Sequence, residues 1–114
     1  MSEKELVVSV PGFFTQQERG KILDAAKLAE VKCLRLMNET SATALEYGIF
    51  RRHTLSEKPR LVFFVDIGYS KTSMCLAGIT KKLVEIKAEF HERNLGIRDM
   101  DWIMYEYYCD MLQK

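Results

Sequence analysis

Apolar residues run without a break over Leu61-Val62-Phe63-Phe64-Val65, and such a branched and aromatic run predicts a strand buried on both faces. The run ends at Asp66 and Gly68, and a second apolar run, Met74 to Ile79, follows. Together they read as a hairpin with an acid at its mouth. A third apolar stretch, Leu83–Phe90, lies beyond the short turn Thr80-Lys81-Lys82. Leu61–Val65, Thr72–Ile79 and Leu83–Phe90 therefore predict an antiparallel meander.

The first half has a different rhythm. Leu6–Val10 is a strand closed by Pro11, which has no amide to give to a ladder. Thr15-Gln16-Gln17-Glu18 has the capping-box form and opens a helix with Ile22, Leu23, Ala26 and Ala29 along one face. Val31–Met37 is a second strand, so strand, helix and strand imply a parallel crossover of right hand. Thr40–Tyr47 is a second helix, with Gly48 expected at a left-handed stop. Ile49–Lys58 is a polar connection holding His53 and Ser56, and Pro59 restarts the extended chain.

The segment His91–Arg98 reads as a loop, with Asp99 as N-cap of a last helix, Met100–Leu112. From Trp102 onward, only Glu106 and Asp110 interrupt the apolar residues of that helix. A surface helix keeps a broad polar face, so this one predicts cover on more than one side.

Composition narrows the class. The chain has 114 residues, enough for one small domain with a core and too few for two. Seventeen basic residues against 16 acidic ones leave no bulk electrostatic case for nucleic acid or an anionic membrane as partner. No apolar run approaches a membrane span, and the polar start Met1-Ser2-Glu3-Lys4-Glu5 is no signal peptide. Cys33, Cys75 and Cys109 are odd in number and far apart, and they read as reduced, largely buried thiols of a cytoplasmic protein.

Asp66 is the best candidate for chemistry. An acid at a strand end beside a small-residue turn suits a hydrated metal ion and a phosphate. The same Asp and Gly could equally serve only the turn. His53 and His91 are isolated and expected in loops.

Several motifs stand in one order: Val10-Pro11-Gly12-Phe13-Phe14-Thr15, Asp24-Ala25-Ala26, Leu34-Arg35-Leu36-Met37-Asn38-Glu39-Thr40, Tyr47-Gly48 and Val65-Asp66-Ile67-Gly68. In this the chain resembles the ATPase domain of the seventy-kilodalton heat-shock chaperones. It is most similar to their hundred-and-ten-kilodalton branch. The common branch writes its strand-end turn Asp-Leu-Gly-Gly-Gly-Thr and its upstream motif Asn-Glu-Pro-Thr. Here they read Asp66-Ile67-Gly68-Tyr69-Ser70-Lys71 and Asn38-Glu39-Thr40-Ser41, as the larger branch tends to write them, and Glu57-Lys58-Pro59-Arg60 points the same way.

The resemblance implies an α/β chain, a fragment of the ribonuclease-H-like, actin-like ATPase fold. Residues 1–48 would end lobe I, 49–60 connect, and 61–114 open lobe II. Three helices and one mixed five-stranded sheet, built within a chain or between two exchanging copies, would follow. It implies ATP or ADP with magnesium in the intact parent, Asp66 holding magnesium and catalytic water, and Gly68, Tyr69, Ser70 and Lys71 forming a phosphate turn. Tyr69 and Ser70 replace glycines and would restrict positive φ there.

Pro11, Arg19 and Glu39 match the family's interlobe relay, and Thr40 replaces its usual proline. Glu30 stands where the family stops its helix with glycine, implying a less favourable cap or a longer helix. The first phosphate-binding strand, the catalytic lysine region and the adenosine pocket have no counterpart. The resemblance therefore implies a piece of a chaperone ATPase, inactive as a hydrolase alone, with the rest of the chaperone chain, a partner heat-shock chaperone or a second copy as partners. A self-standing interaction module is the rival reading.

Overall fold

Two sheets, not one, carry the five strands. The computed structural model describes residues 5–113, so Met1–Lys4 of the polar start lie outside the described residues. Strand β1 (Glu5–Val10) leads through helix α1 (Gln16–Leu28) to strand β2 (Lys32–Asn38). The two strands pair in parallel, Val8 opposite Leu36 and Val10 opposite Asn38, as a strand–helix–strand crossover requires. Helix α2 (Glu39–Phe50) follows directly, then a single 3-10 turn at Arg52–Thr54. Strands β3 (Arg60–Ile67), β4 (Thr72–Ile79) and β5 (Val84–Glu92) form the antiparallel meander, and helix α3 (Ile97–Leu112) ends the chain.

The α/β class, the five strands and the three helices are as expected. The single mixed sheet is not: among the described residues of one chain the parallel pair and the meander share no ladder. Helix α2 joins the two sheets, touching every strand of both.

Pairing fixes which residues face α2. Val62, Ala77 and Ile86 form one row across the meander, Phe64, Cys75 and Glu89 the next, and Asp66, Ser73 and His91 the third. These rows form the inner face. A register shift at Leu76/Ala77 leaves Lys87 as the extra residue of β5, and one extra residue reverses the alternation beyond it. The shift therefore keeps both Ile86 and Glu89 inside. Ala44, Leu55, Ala77 and Ile79 make the buried centre, with Tyr47, Val62, Phe64, Val84 and Ile86 packed around it.

The outer face has no such cover. Leu61, Phe63, Val65 and Ile67 alternate along β3 and are all exposed, which corrects the expectation of a strand buried on both faces.

Helix ends differ from the sequence reading at Gly48 and Gly96, while at Glu30 the less favourable cap is the outcome. Glu30 adopts φ 54°, the only positive φ of a non-glycine among the described residues. It therefore takes the left-handed stop itself rather than lengthening the helix, a conformation that costs an ordinary side chain about 1–2 kcal/mol. Glu30→Gly is expected to stabilise the chain by up to about 1 kcal/mol, since the added chain entropy of glycine offsets part of the relief. The midpoint of urea unfolding checks this; an unchanged or lower midpoint contradicts it.

Gly48, in contrast, is helical, because α2 continues to Phe50 and no described glycine has positive φ. Its lack of a side chain serves packing: a Cβ there would sit 3.1 Å from Val84 Cγ2. The N-cap of α3 is Gly96, with Asp99 at the third helical position, its Oδ2 accepting from the Gly96 amide at 2.8 Å.

The N-terminus of α1 is as expected. The Glu18 amide donates to Thr15 Oγ1 at 3.3 Å, and the Thr15 amide donates to Glu18 Oε2 at 2.6 Å. That amide, then the Thr15 hydroxyl, then Arg93 hold the Glu18 carboxyl below its ordinary value. A depressed carboxylate stabilises above its unfolded pKa, and this contribution is lost as the pH falls through the folded value.

Candidate functional site

The inner face of the meander ends in the row Asp66, Ser73 and His91, and the N-terminus of α2 lies over it. Glu39, Thr40 and Thr43 of α2 line a cleft of about 70 Å³ together with Phe64, Val65, Asp66 and Ser73. Chain order brings Glu39 there: β2 ends at Asn38, and α2 begins on the next residue. Asp66 reaches the cleft from the second-last position of β3.

Lys71 closes one side. Its ammonium pairs with the Glu39 carboxylate, both side chains being about two-thirds to three-quarters shielded from water. The Lys71 Nζ also lies 5.8 Å from the centre of the Phe13 ring. Arg19 gathers the turn before α1: Nε donates to the Phe14 carbonyl at 3.0 Å and Nη2 to the Gly12 carbonyl at 3.3 Å. The same Nη2 donates to Asn38 Oδ1 at 2.9 Å and, at the limit of a hydrogen bond, to the Pro11 carbonyl at 3.5 Å. Pro11, Arg19 and Glu39 are thus neighbours through Asn38, and Glu39 joins them to the turn carrying Lys71.

The residues that sequence reasoning missed lie opposite. Glu89 accepts hydrogen bonds from Thr40 Oγ1 and, at 3.4 Å, from Asn38 Nδ2. His91 belongs to β5 rather than to a loop, with Nδ1 3.2 Å from Ser73 Oγ and Nε2 buried 3.9 Å from Glu89 Oε2. A Cβ on Gly12 would stand 2.2 Å from His91 Nε2, so only glycine lets the turn close on this ring. Arg93 donates to the Phe13 carbonyl at 2.9 Å and stacks over its ring at 4.4 Å. The signal for Glu89 and His91 was the extra residue at Lys87, which simple alternation cannot foresee.

Burial, then the nearby Glu89 charge, push the Cys75 thiol above its ordinary value. Cys75 is buried as expected, whereas Cys33 and Cys109 are only partly so, and all three are free thiols.

The turn itself needs no glycine-only backbone. The Gly68 amide donates to the Lys71 carbonyl at 2.9 Å, and no residue from Gly68 to Lys71 has positive φ. Tyr69 and Ser70 therefore sit there without strain. The carbonyls of Gly68 and Tyr69 accept from the amides of Ile97 and Arg98, each at 3.0 Å, which pins the start of α3 to the turn. Gly96 permits that approach, since a Cβ would lie 2.4 Å from the Tyr69 carbonyl oxygen.

Among the described residues, the amides of Tyr69, Ser70 and Lys71 donate to no backbone carbonyl. No group of three acidic, histidine or cysteine side chains converges on a metal position among the described residues. A cleft of this volume has room for a few waters beside the Asp66 carboxylate and the lysine-paired Glu39. The donor set therefore fits a metal held through water, with the turn amides free to donate to an anion, and it does not fit a metal held directly by a protein cage.

The family profile described as Hsp70 protein matches residues 2–114. The chain belongs to the Hsp70 family. It is 41% identical over 108 residues to Heat shock 70 kDa protein 4L of Homo sapiens, covering 93% of this chain and 13% of that protein. Identity is 39% over 112 residues with Heat shock 70 kDa protein 4 of Rattus norvegicus, covering 96% of this chain and 13% of the relative. The 97 kDa heat shock protein of Strongylocentrotus purpuratus is 39% identical over 107 residues, 92% of this chain and 12% of its own length. The chain thus spans roughly an eighth of the length of each curated relative it matches. The resemblance read from the ordered motifs is borne out, and the α/β elements are those of an Hsp70 ATPase domain. No helix among the described residues is long and apolar enough to cross a membrane.

Proposed function

We propose that this chain is the stretch of an Hsp70-type chaperone ATPase where the phosphate end of the nucleotide meets the interlobe relay. The parent would be a large heat-shock chaperone of the cytoplasm, assisting protein folding and exchanging nucleotide on a partner chaperone. The observation that carries this reading is the Glu39–Lys71 ion pair. It ties the helix that begins after Arg19's partner Asn38 to the turn that begins after Asp66.

In this reading Asp66 would hold the water shell of a magnesium ion, and the amides of Tyr69 and Ser70 would be the donors for phosphate oxygens. Bound magnesium nucleotide supplies a transferable phosphoryl group and the charge that neutralises it. Lys71 sits in the turn and gives its charge to Glu39, so anything that drew Lys71 toward phosphate would loosen Glu39. Glu39 opens α2 directly after Asn38, and Arg19 holds Asn38 against the Pro11 turn. A change at the phosphate turn is thereby passed to Pro11.

The isolated chain should bind magnesium–ATP without turning it over. Phosphoryl transfer draws on several elements at once, and the first phosphate strand and catalytic lysine region have no counterpart here. Calorimetric titration is expected to give saturable binding weakened on the order of tenfold by Asp66→Asn, about one lost charge-assisted contact. A phosphate-release assay should stay at background. Turnover abolished by Asp66→Asn would overturn the inactivity, and absence of any saturable binding would favour the interaction module.

A further inference from the structure

The chain carries two apolar surfaces that none of its described residues covers. Its accessible surface is 8927 Å², roughly 2,500 Å² more than a compact monomer of this mass exposes. Its radius of gyration is 19.0 Å, against about 13 Å for a compact chain of this length.

One surface is α3. Its start is pinned to the Gly68–Tyr69 carbonyls, and none of its residues is buried, so it projects as a fixed arm. Trp102 and Tyr105 lie on one side of it, lining a groove with Tyr69. On the opposite side Met100, Met104, Tyr107 and Met111 form a stripe at spacings of four, three and four, all more than half exposed. The other surface is the outer face of the meander: Leu61, Phe63, Val65 and Ile67 of β3, with Phe90 opposite Met74.

We propose that two copies of this chain associate reciprocally, the Met100–Met111 stripe of each α3 lying on the outer meander face of the other. This goes beyond the nucleotide reading and does not depend on it. The lengths agree: α3 has 16 residues, about 24 Å of helix, and β3 has eight, about 27 Å of strand. Methionine side chains adapt to an irregular sheet surface better than branched ones. The surplus area exceeds the roughly 800 Å² per partner that a stable interface takes. When both arm-on-face contacts form within the same pair, they are related by a two-fold axis and the assembly closes at two copies. No strand need be exchanged, since both sheets of each chain are already formed.

Light scattering across micromolar concentrations should give twice the mass of one chain, dissociating on dilution. Met104→Glu alters only the arm and Phe63→Glu only the face, and each alone should weaken association at least tenfold with the circular dichroism spectrum retained. Mixed in equal amounts they should associate more tightly than either alone, because the mixed pair keeps one undamaged contact. A wild-type chain that stays monomeric at the highest concentration overturns the proposal and assigns both surfaces to other segments of a longer chain. Unfolding of either variant leaves that wild-type measurement decisive, and folded variants whose mixture shows no recovery overturn the reciprocal arrangement.

Discussion

Replacing Phe64 with alanine should cost about 3 kcal/mol of unfolding free energy, whereas replacing its neighbour Phe63 should cost less than about 1 in dilute monomeric protein. Phe64 points to the inner face, meets Tyr47 of α2 edge-on at a centroid distance of 5.6 Å, and borders the buried Ala44, Leu55, Ala77 and Ile79. Phe63 points outward and is 61% exposed. Removing the first ring opens a cavity between α2 and the meander, while removing the second leaves no cavity. Chemical denaturation of the two variants decides it; equal losses would mean that the strand is covered on both sides in the monomer.

Glu89→Ala should destabilise by about 2–3 kcal/mol, because it strips acceptors from Thr40 and Asn38 at the seam between the two sheets. Glu89→Gln keeps an acceptor and should lose less than half of that. Both should bring the Cys75 thiol nearer its ordinary value, since the Glu89 charge is the second cause of its elevation after burial. The Cys75 titration, followed by its 13Cβ chemical shift in the folded protein, should therefore move to lower pH in both. An unmoved profile would place the Glu89 charge away from the thiol.

Much of this architecture was legible in the residues. The apolar runs marked every strand to within two positions, and Thr15-Gln16-Gln17-Glu18 marked the start of α1 with its reciprocal hydrogen bonds. Asp66 and Glu39 could each be singled out, but not their meeting at one cleft, which depends on α2 lying across the meander. Lys71 was legible as part of the turn, and its pairing with Glu39 was not, because the partners are 32 residues apart.

The misplaced features share a cause. Gly48 looked like a stop signal but answers to Val84 across the packed interface, and Gly96 looked like plain loop but answers to the Tyr69 carbonyl. In both, a tertiary approach decides what local preference alone would assign otherwise. Glu30 is the converse, a residue holding the left-handed position that local preference gives to glycine. The seam of Asn38, Thr40, Glu89 and His91 was hidden by the bulge at Lys87, which reverses the facing of everything after it in β5.

The nucleotide reading is tested most directly by amide chemical-shift mapping of the labelled chain during a magnesium–ATP titration. The expected result is a saturable change at Gly68, Tyr69, Ser70 and Lys71 together with Glu39 and Thr40, the second group responding because Lys71 holds Glu39. In Lys71→Met the shifts of the turn should persist while those of Glu39 and Thr40 vanish. Shifts absent from the turn, or a response of Glu39 and Thr40 that survives in Lys71→Met, would contradict it.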